Sequence, residues 1–419
     1  MSDVVVVGAG LAGLTAAIRL ARAGRAVTLL SAGVGGLQLS QGTVDLLGYT
    51  PDRVHHPLDA IDRTADADHA HPYHHLRADG VRHAVEWFAE VLGPGELVGS
   101  LQTNVHLPTA VGALRPTALM PPSMAAGDLR DGANVAIIGL RRLKDLYPDL
   151  IADNLSRTDL PSGGRVNARG VHVDFVVRDG ESDSSGLVTA RALDDSSTLL
   201  RFADAVAREL TDDDHVVGVP AVLGLVDTQT VWSTLQTRLG RPVFEIPLPP
   251  PSVPGIRMNA SLTAHAKAAG VRFVMGGRVV DATREGTRIT GLQTDTAGRL
   301  RLTRSPWIVF APGGFESGAI DVDSYGAIRE PVFDLPLAHV PSDPVVSADY
   351  WADHPLFRTG VAVDHSMRPV DPTGAAVLDN LVVAGGLIAG ATRWREKSGE
   401  GIAIATAVRA ADTIIEDGS

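Results

Sequence analysis

The stretch that most constrains this chain is its beginning. Residues 4–7 are four consecutive valines, followed by Gly8-Ala9-Gly10-Leu11-Ala12-Gly13, a small-residue run over 14–23, Gly24, and a second apolar run ending at Ser31. An unbroken β-branched run suits a parallel strand buried on both faces. Residues 8–31 then read as turn, helix, turn and second strand. In that setting G-x-G-x-x-G gives each glycine a task. Gly8 makes the tight turn, Gly10 lets the backbone approach a phosphate, and Gly13 lets the helix pack near the strand. The amides freed at the helix start, with the helix dipole behind them, face an anion. Residues 8 to 13 are therefore the first cofactor-binding candidates.

A dinucleotide site usually carries an acid about 20 residues further on, where it holds the ribose hydroxyls. Here Ser31 occupies that tip, and no acid lies between Arg19 and Gly36. Ser31 is kept as a weaker ribose contact. The gap counts against NAD or NADP and leaves a flavin, which other segments also hold. The next loop supplies such a segment. Gly36, Ser40, Gln41, Gly42 and Thr43 lie in a glycine-broken stretch that is expected to run along a flavin ring.

At 419 residues the chain is long enough for two or three domains. A net charge of −12 argues against nucleic acid as the main partner. Cysteine is absent, so the chain supplies no disulfide, no thiolate metal ligand and no iron–sulfur cluster. Six histidines between residues 55 and 75 fit no standard zinc spacing, and the interleaved aspartates read as a solvated face; no metal is assigned. The first residues lack a cationic leader, and no apolar run reaches the roughly 20 residues that span a bilayer. A cytoplasmic protein is expected.

Further along, residues 107–124 read as short antiparallel strands ending in a Pro-Pro hinge. Strands at 134–140, 166–177, 215–226 and 242–246 alternate with helices at 144–156, 197–210 and 230–239, which implies a second sheet. The proline run over 248–257 reads as a stiff linker, followed by a helix over 257–269. A buried strand at 307–310 runs into Gly313. The strand 380–384 ends in Gly385-Gly386, and the last helix opens near Gly401 and Ile402. That second helix start would aim its positive end at the N1/O2 side of a reduced flavin. The fold class expected is α/β: a Rossmann-like FAD/NAD(P)-binding domain made of residues 1–124 and 250–419, with an inserted α/β domain, for substrate or interface, over 125–249.

These segments resemble the flavoproteins with two dinucleotide-binding domains. Gly8-Ala-Gly-Leu-Ala-Gly13, Ala311-Pro-Gly-Gly-Phe315 and Leu381-Val-Val-Ala-Gly385-Gly386 match that superfamily in order. More specifically, the chain resembles the B subunit of the anaerobic glycerol-3-phosphate dehydrogenase. The likeness is carried by residues 39–47, Gly112-Ala-Leu-Arg-Pro-Thr117, Pro250-Pro-Ser-Val-Pro-Gly-Ile-Arg257, Ile328-Arg-Glu-Pro331 and residues 360–369. The stretch 393–401 departs from some members. The resemblance implies oxidation of sn-glycerol 3-phosphate to dihydroxyacetone phosphate, with electrons passed to a quinone. It also implies a flavin (FMN, with FAD the alternative), a larger catalytic FAD-containing partner, and an iron–sulfur partner that holds the complex at the inner face of the cell membrane. The second reading is a non-catalytic electron-transfer or scaffold subunit of that complex. For the chemistry, Arg257, Arg329 and Arg368 are the candidates for the substrate phosphate. Arg329 and His365 are the catalytic candidates, His365 as acceptor of the hydroxyl proton.

Overall fold

The computed structural model describes residues 2–342, 344–350 and 352–417. They fall into two units, one of residues 1–36, 45–93 and 259–419, the other of residues 37–44 and 94–258.

The first unit is built on a five-stranded sheet in the order Arg272–Met275, Val27–Ser31, Val4–Val7, Trp307–Phe310, Leu381–Val383. Every neighbouring pair is parallel. Val4–Val7 is central and all four valines are buried, which is why that strand shows no polar alternation. The chain fills one side of this strand first and then crosses to the other. Strand order therefore reverses between Val4–Val7 and Trp307–Phe310, and the carboxyl ends at such a reversal form a crevice.

Two helices from opposite ends of the chain lie together on this sheet, Leu11–Arg22 and Gly399–Asp417. Gly385 lies against Ala12, and its amide donates to the Thr406 hydroxyl at 2.9 Å. Arg19 pairs with Asp412 at 2.8 Å, and Arg25 donates to the Ile415 carbonyl at 3.3 Å. Residue numbers rise together along both, so the helices are parallel and both begin toward the carboxyl edge of the sheet. The helix Tyr73–Leu92 packs on the closing helix. A three-stranded antiparallel sheet, Arg278–Glu285, Arg288–Thr296 and Arg299–Thr303, completes the unit. Fully buried Asn380 ties it to the closing strand, accepting from the Ile289 amide at 2.9 Å and donating to the carbonyls of Ile289 and Pro306 at 2.9 and 2.8 Å.

The second unit holds a four-stranded sheet in the order Val243–Ile246, Val216–Pro220, Asn134–Leu140, Asn167–Val173, parallel throughout. It starts earlier than the sequence boundary at 124/125. Leu114, on the hairpin Val105–Pro108 with Leu114–Thr117, belongs to its core, and Val44 bridges to Leu119. Short hairpins carry little domain signal of their own; what they bury against decides the boundary. A helix at Gly186–Leu193, capped by the Ser185 hydroxyl, was not expected. The proline run is only partly a linker, because the helix Val253–Ala268 begins inside it. Pro254 sits in the first turn, where its missing amide leaves no helical bond unmade.

Candidate functional site

The carboxyl edge of the first unit's sheet collects the glycine turns. Gly8 has φ +107°. A Cβ there would run into the Ala311 carbonyl of the neighbouring strand, and one on Gly13 would run into the Gly8 carbonyl. These two glycines permit strand–strand and helix–strand contact. Gly10 differs, because a Cβ there meets nothing within 4 Å. It starts the helix in extended backbone, with no side-chain cap and no acid in the first turn. Among the described residues, the first-turn amides at Leu11, Ala12 and Gly13 thus have no capping side chain, and a Cβ on Gly10 would meet open space. A nucleotide phosphate fits this cradle on those grounds. Ala9 is buried behind it.

The loop after the second strand folds over the turn. Gly35 has φ +76°, and a Cβ on it would stand 2.6 Å from both the Ala9 carbonyl oxygen and the Gly10 nitrogen. Gly36, expected to contact the cofactor, meets nothing within 4 Å; the close approach belongs to Gly35, the residue before it. Ser31 is corrected as well. Its hydroxyl donates to the Gly33 carbonyl at 2.6 Å and closes its own turn, so its proton is not available to a ribose.

Next along the edge, Gly313 (φ +97°) turns against Ser317. Gly314 and Gly386 face each other, and a Cβ on Gly314 would stand 2.8 Å from the Gly386 carbonyl oxygen. Over both lies Arg393, which donates to the Gly386 carbonyl at 2.5 Å and to Glu316 at 2.8 Å. Sequence reading marked the stretch around Arg393 without singling it out. Its signal was position: the first turn after a strand-end glycine pair. Gly385 serves packing against Ala12 and Thr406.

Two amides near the start of the closing helix are used by protein. The Gly401 amide donates to the Asp45 carbonyl and the Ile402 amide to the Ser398 carbonyl, at 3.0 and 2.9 Å. Gly401 is glycine because a Cβ would press on the Tyr73 hydroxyl at 2.5 Å. The expectation that Gly401 and Ile402 offer amides to a flavin is therefore corrected. The turn before them is fixed by Glu396. Its carboxylate accepts from the Thr392 amide at 2.7 Å, the Ser398 hydroxyl at 2.8 Å and His71 Nε2 at 3.2 Å. His71 Nδ1 accepts the Tyr73 amide, which places the imidazole proton on Nε2. Burial pushes the Glu396 carboxyl up, but the hydrogen bond from His71, with those from Thr392 and Ser398, outweighs it and holds the group below the usual glutamate range.

Two of the remaining candidates, Arg368 and His365, do not reach this edge. Arg368 stacks on Trp307 at the amino end of its strand and lies 3.5 Å from Asp417, the last residue of the closing helix. His365 is exposed, and its carbonyl is held by Arg409, ten residues and about 15 Å along that helix from Gly399. Arg257 belongs to the second unit, where it pairs with fully buried Glu245 at 2.8 and 3.1 Å and donates twice to the Gly224 carbonyl. Four hydrogen bonds of its guanidinium are made within that unit. The loop with Ser40, Gln41, Gly42 and Thr43 is also part of the second unit. Gly42 packs on Pro254, and Gly255 packs on the Leu37 and Ser40 carbonyls.

Arg329 is different. It is exposed on the two-residue ladder Asp321–Val322 with Ile328–Arg329, in the excursion that leaves Gly313 and Gly314. Among the described residues, nothing is bonded to its guanidinium. Neighbouring Glu330 is buried and accepts from the Val332, Phe333 and Leu335 amides at 2.8, 2.8 and 3.4 Å. Burial holds its carboxyl above the usual range against those bonds. Glu330 anchors the turn that presents Arg329. Among the described residues, no helix is long and apolar enough to cross a membrane, and no group of three acidic or histidine side chains is placed to hold a metal ion.

Residues 3–402 match the sequence profile of the FAD binding domain, which points to FAD where the resemblance pointed to FMN. The chain is 35% identical over 427 residues, covering 99% of itself and 98% of the relative, to the probable anaerobic glycerol-3-phosphate dehydrogenase B subunit of Halobacterium salinarum. It is 31% identical, covering 99% and 98%, to the anaerobic glycerol-3-phosphate dehydrogenase B subunit of Yersinia enterocolitica. Among solved structures, 3-ketosteroid delta1-dehydrogenase from Sterolibacterium denitrificans aligns over 99% of both chains at 12% identity, with a TM-score of 0.47. The chain belongs to the B-subunit family of the anaerobic glycerol-3-phosphate dehydrogenases, and so to the flavoprotein oxidoreductases with an FAD binding domain.

Proposed function

We propose that this chain is a flavin-bearing member of a complex that oxidises sn-glycerol 3-phosphate to dihydroxyacetone phosphate and delivers the electrons to a quinone. The observation that supports it best is kinship along the whole chain with proteins of that name. The cradle at Gly10 is consistent with it. A bound flavin supplies the two-electron acceptor. The chain's own part is to hold the cofactor phosphate on the first-turn amides and to meet the substrate phosphate with Arg329. The partners in this reading are a larger FAD-containing catalytic subunit, the A component, and an iron–sulfur subunit that seats the complex on the inner face of the membrane. The flavin's identity is read directly, by releasing the chromophore with acid and weighing it. FAD is expected from the matched family; FMN would restore the first expectation and agree with the missing acid at Ser31.

Arg329→Ala is expected to raise the KM for glycerol 3-phosphate at least about tenfold, the loss of a charge-assisted contact. An unchanged KM removes Arg329 from the substrate site. One observation favours the second reading, a relay or scaffold subunit: neither His365 nor Arg368 reaches the carboxyl edge. In a reconstituted complex carrying Gly10→Asp in this chain, full turnover would favour the scaffold, and lost turnover the flavin-bearing role.

A further inference from the structure

One cation bridges two glycine loops at the carboxyl edge. Arg393 lies across Gly314 and Gly386, neither of which has a Cβ to keep a ligand at a distance, and its side chain is 18% exposed. It is held there from behind, because the single turn Arg393–Glu396 is pinned by the Glu396 contacts to Thr392, Ser398 and His71. The only carboxylate bonded to it among the described residues is Glu316, on the three-residue turn Phe315–Ser317. Glu316 is 54% exposed and offers one oxygen. A half-exposed, single-oxygen pair is weak. A guanidinium fork takes two oxygens of a phosphate better than one of a carboxylate.

We propose that Arg393 is an anion-recognition residue for a phosphomonoester dianion, and that Glu316 is an internal placeholder which the dianion displaces. The assignment rests on reading the substrate as glycerol 3-phosphate and adds a second guanidinium to Arg329. It also gives a reason for selectivity. An uncharged polyol has nothing with which to displace Glu316, so the site discriminates on charge.

The two partners are predicted to respond in opposite directions. Purified full-length protein with its cofactor is titrated calorimetrically with glycerol 3-phosphate and, separately, with inorganic phosphate, and thermal unfolding is measured alongside. Arg393→Gln is expected to weaken both ligands at least about tenfold, and Arg393→Lys less. Glu316→Gln is expected to tighten both a few-fold, since the competing anion is gone. If Glu316→Gln weakens binding together with Arg393→Gln, the pair is only a latch between loops and the proposal fails. It fails too if neither variant changes binding, or if the wild type binds neither ligand. If phosphate follows the pattern while glycerol 3-phosphate binds no better than phosphate, the anion site stands and the glycerol 3-phosphate reading falls. Anaerobic bleaching of the flavin by glycerol 3-phosphate checks that reading independently.

Discussion

The glycines of one motif do two kinds of work, and substitution separates them. Gly13 has no room for a Cβ beside the Gly8 carbonyl, whereas Gly10 has open space. Gly13→Ala should cost about 1–3 kcal/mol of stability through overpacking, read as a lower unfolding temperature. Gly10→Asp should unfold within a degree or two of wild type that has been stripped of its flavin. Its carboxylate would sit on the first-turn amides, so its flavin-to-protein absorbance ratio should fall about tenfold or more. If Gly10→Asp keeps its flavin, the cradle lies elsewhere. At this scale the sequence was a good guide to the turn and a poor one to individual side chains. An arginine in a shared stretch looks the same whether it waits for a phosphate or neutralises a buried carboxylate. Arg257 proved to do the second because Glu245, twelve positions away, folds back onto it.

Among elements, the strands and their order of burial were legible from unbroken apolar runs and strand-end glycines. The start of the closing helix was not. The amides of Gly401 and Ile402 are taken by Asp45 and Ser398, and the approach to the helix is set by His71 and Glu396, residues 325 positions apart. No local pattern announces such a clamp. It does have a pH signature. Because the Glu396 carboxyl is held below its ordinary value of 4.5, the unfolded chain binds the extra proton first. The clamp's contribution is complete above pH 4.5 and fades as pH falls through the lowered folded value. The unfolding temperature of the wild type minus that of Glu396→Gln should therefore be largest near neutrality and shrink as the pH drops below 4.5. A difference that stays constant with pH would show that the carboxylate does not carry the clamp.

At the level of the whole molecule, the two units stand on separate parallel sheets. Arg257→Ala leaves the fully buried Glu245 side chain without its cationic partner, so it should remove about 3–5 kcal/mol from the second unit. Urea unfolding followed by fluorescence of Trp232, whose indole donates to the Val243 carbonyl in that unit, should show it. Replacing both partners with apolar residues should recover much of the loss.

The flanking of the first strand has a biosynthetic consequence. Val4–Val7 leaves the ribosome long before one of its two neighbours, Trp307–Phe310, and the helix after it rests on the helix Gly399–Asp417 through Arg19 and Asp412. The crevice at the carboxyl edge can form only after residues 307–310 and 399–417 have emerged. Nascent chains stalled before residue 310 should carry no chromophore, and cofactor loading should follow emergence of the strand Trp307–Phe310.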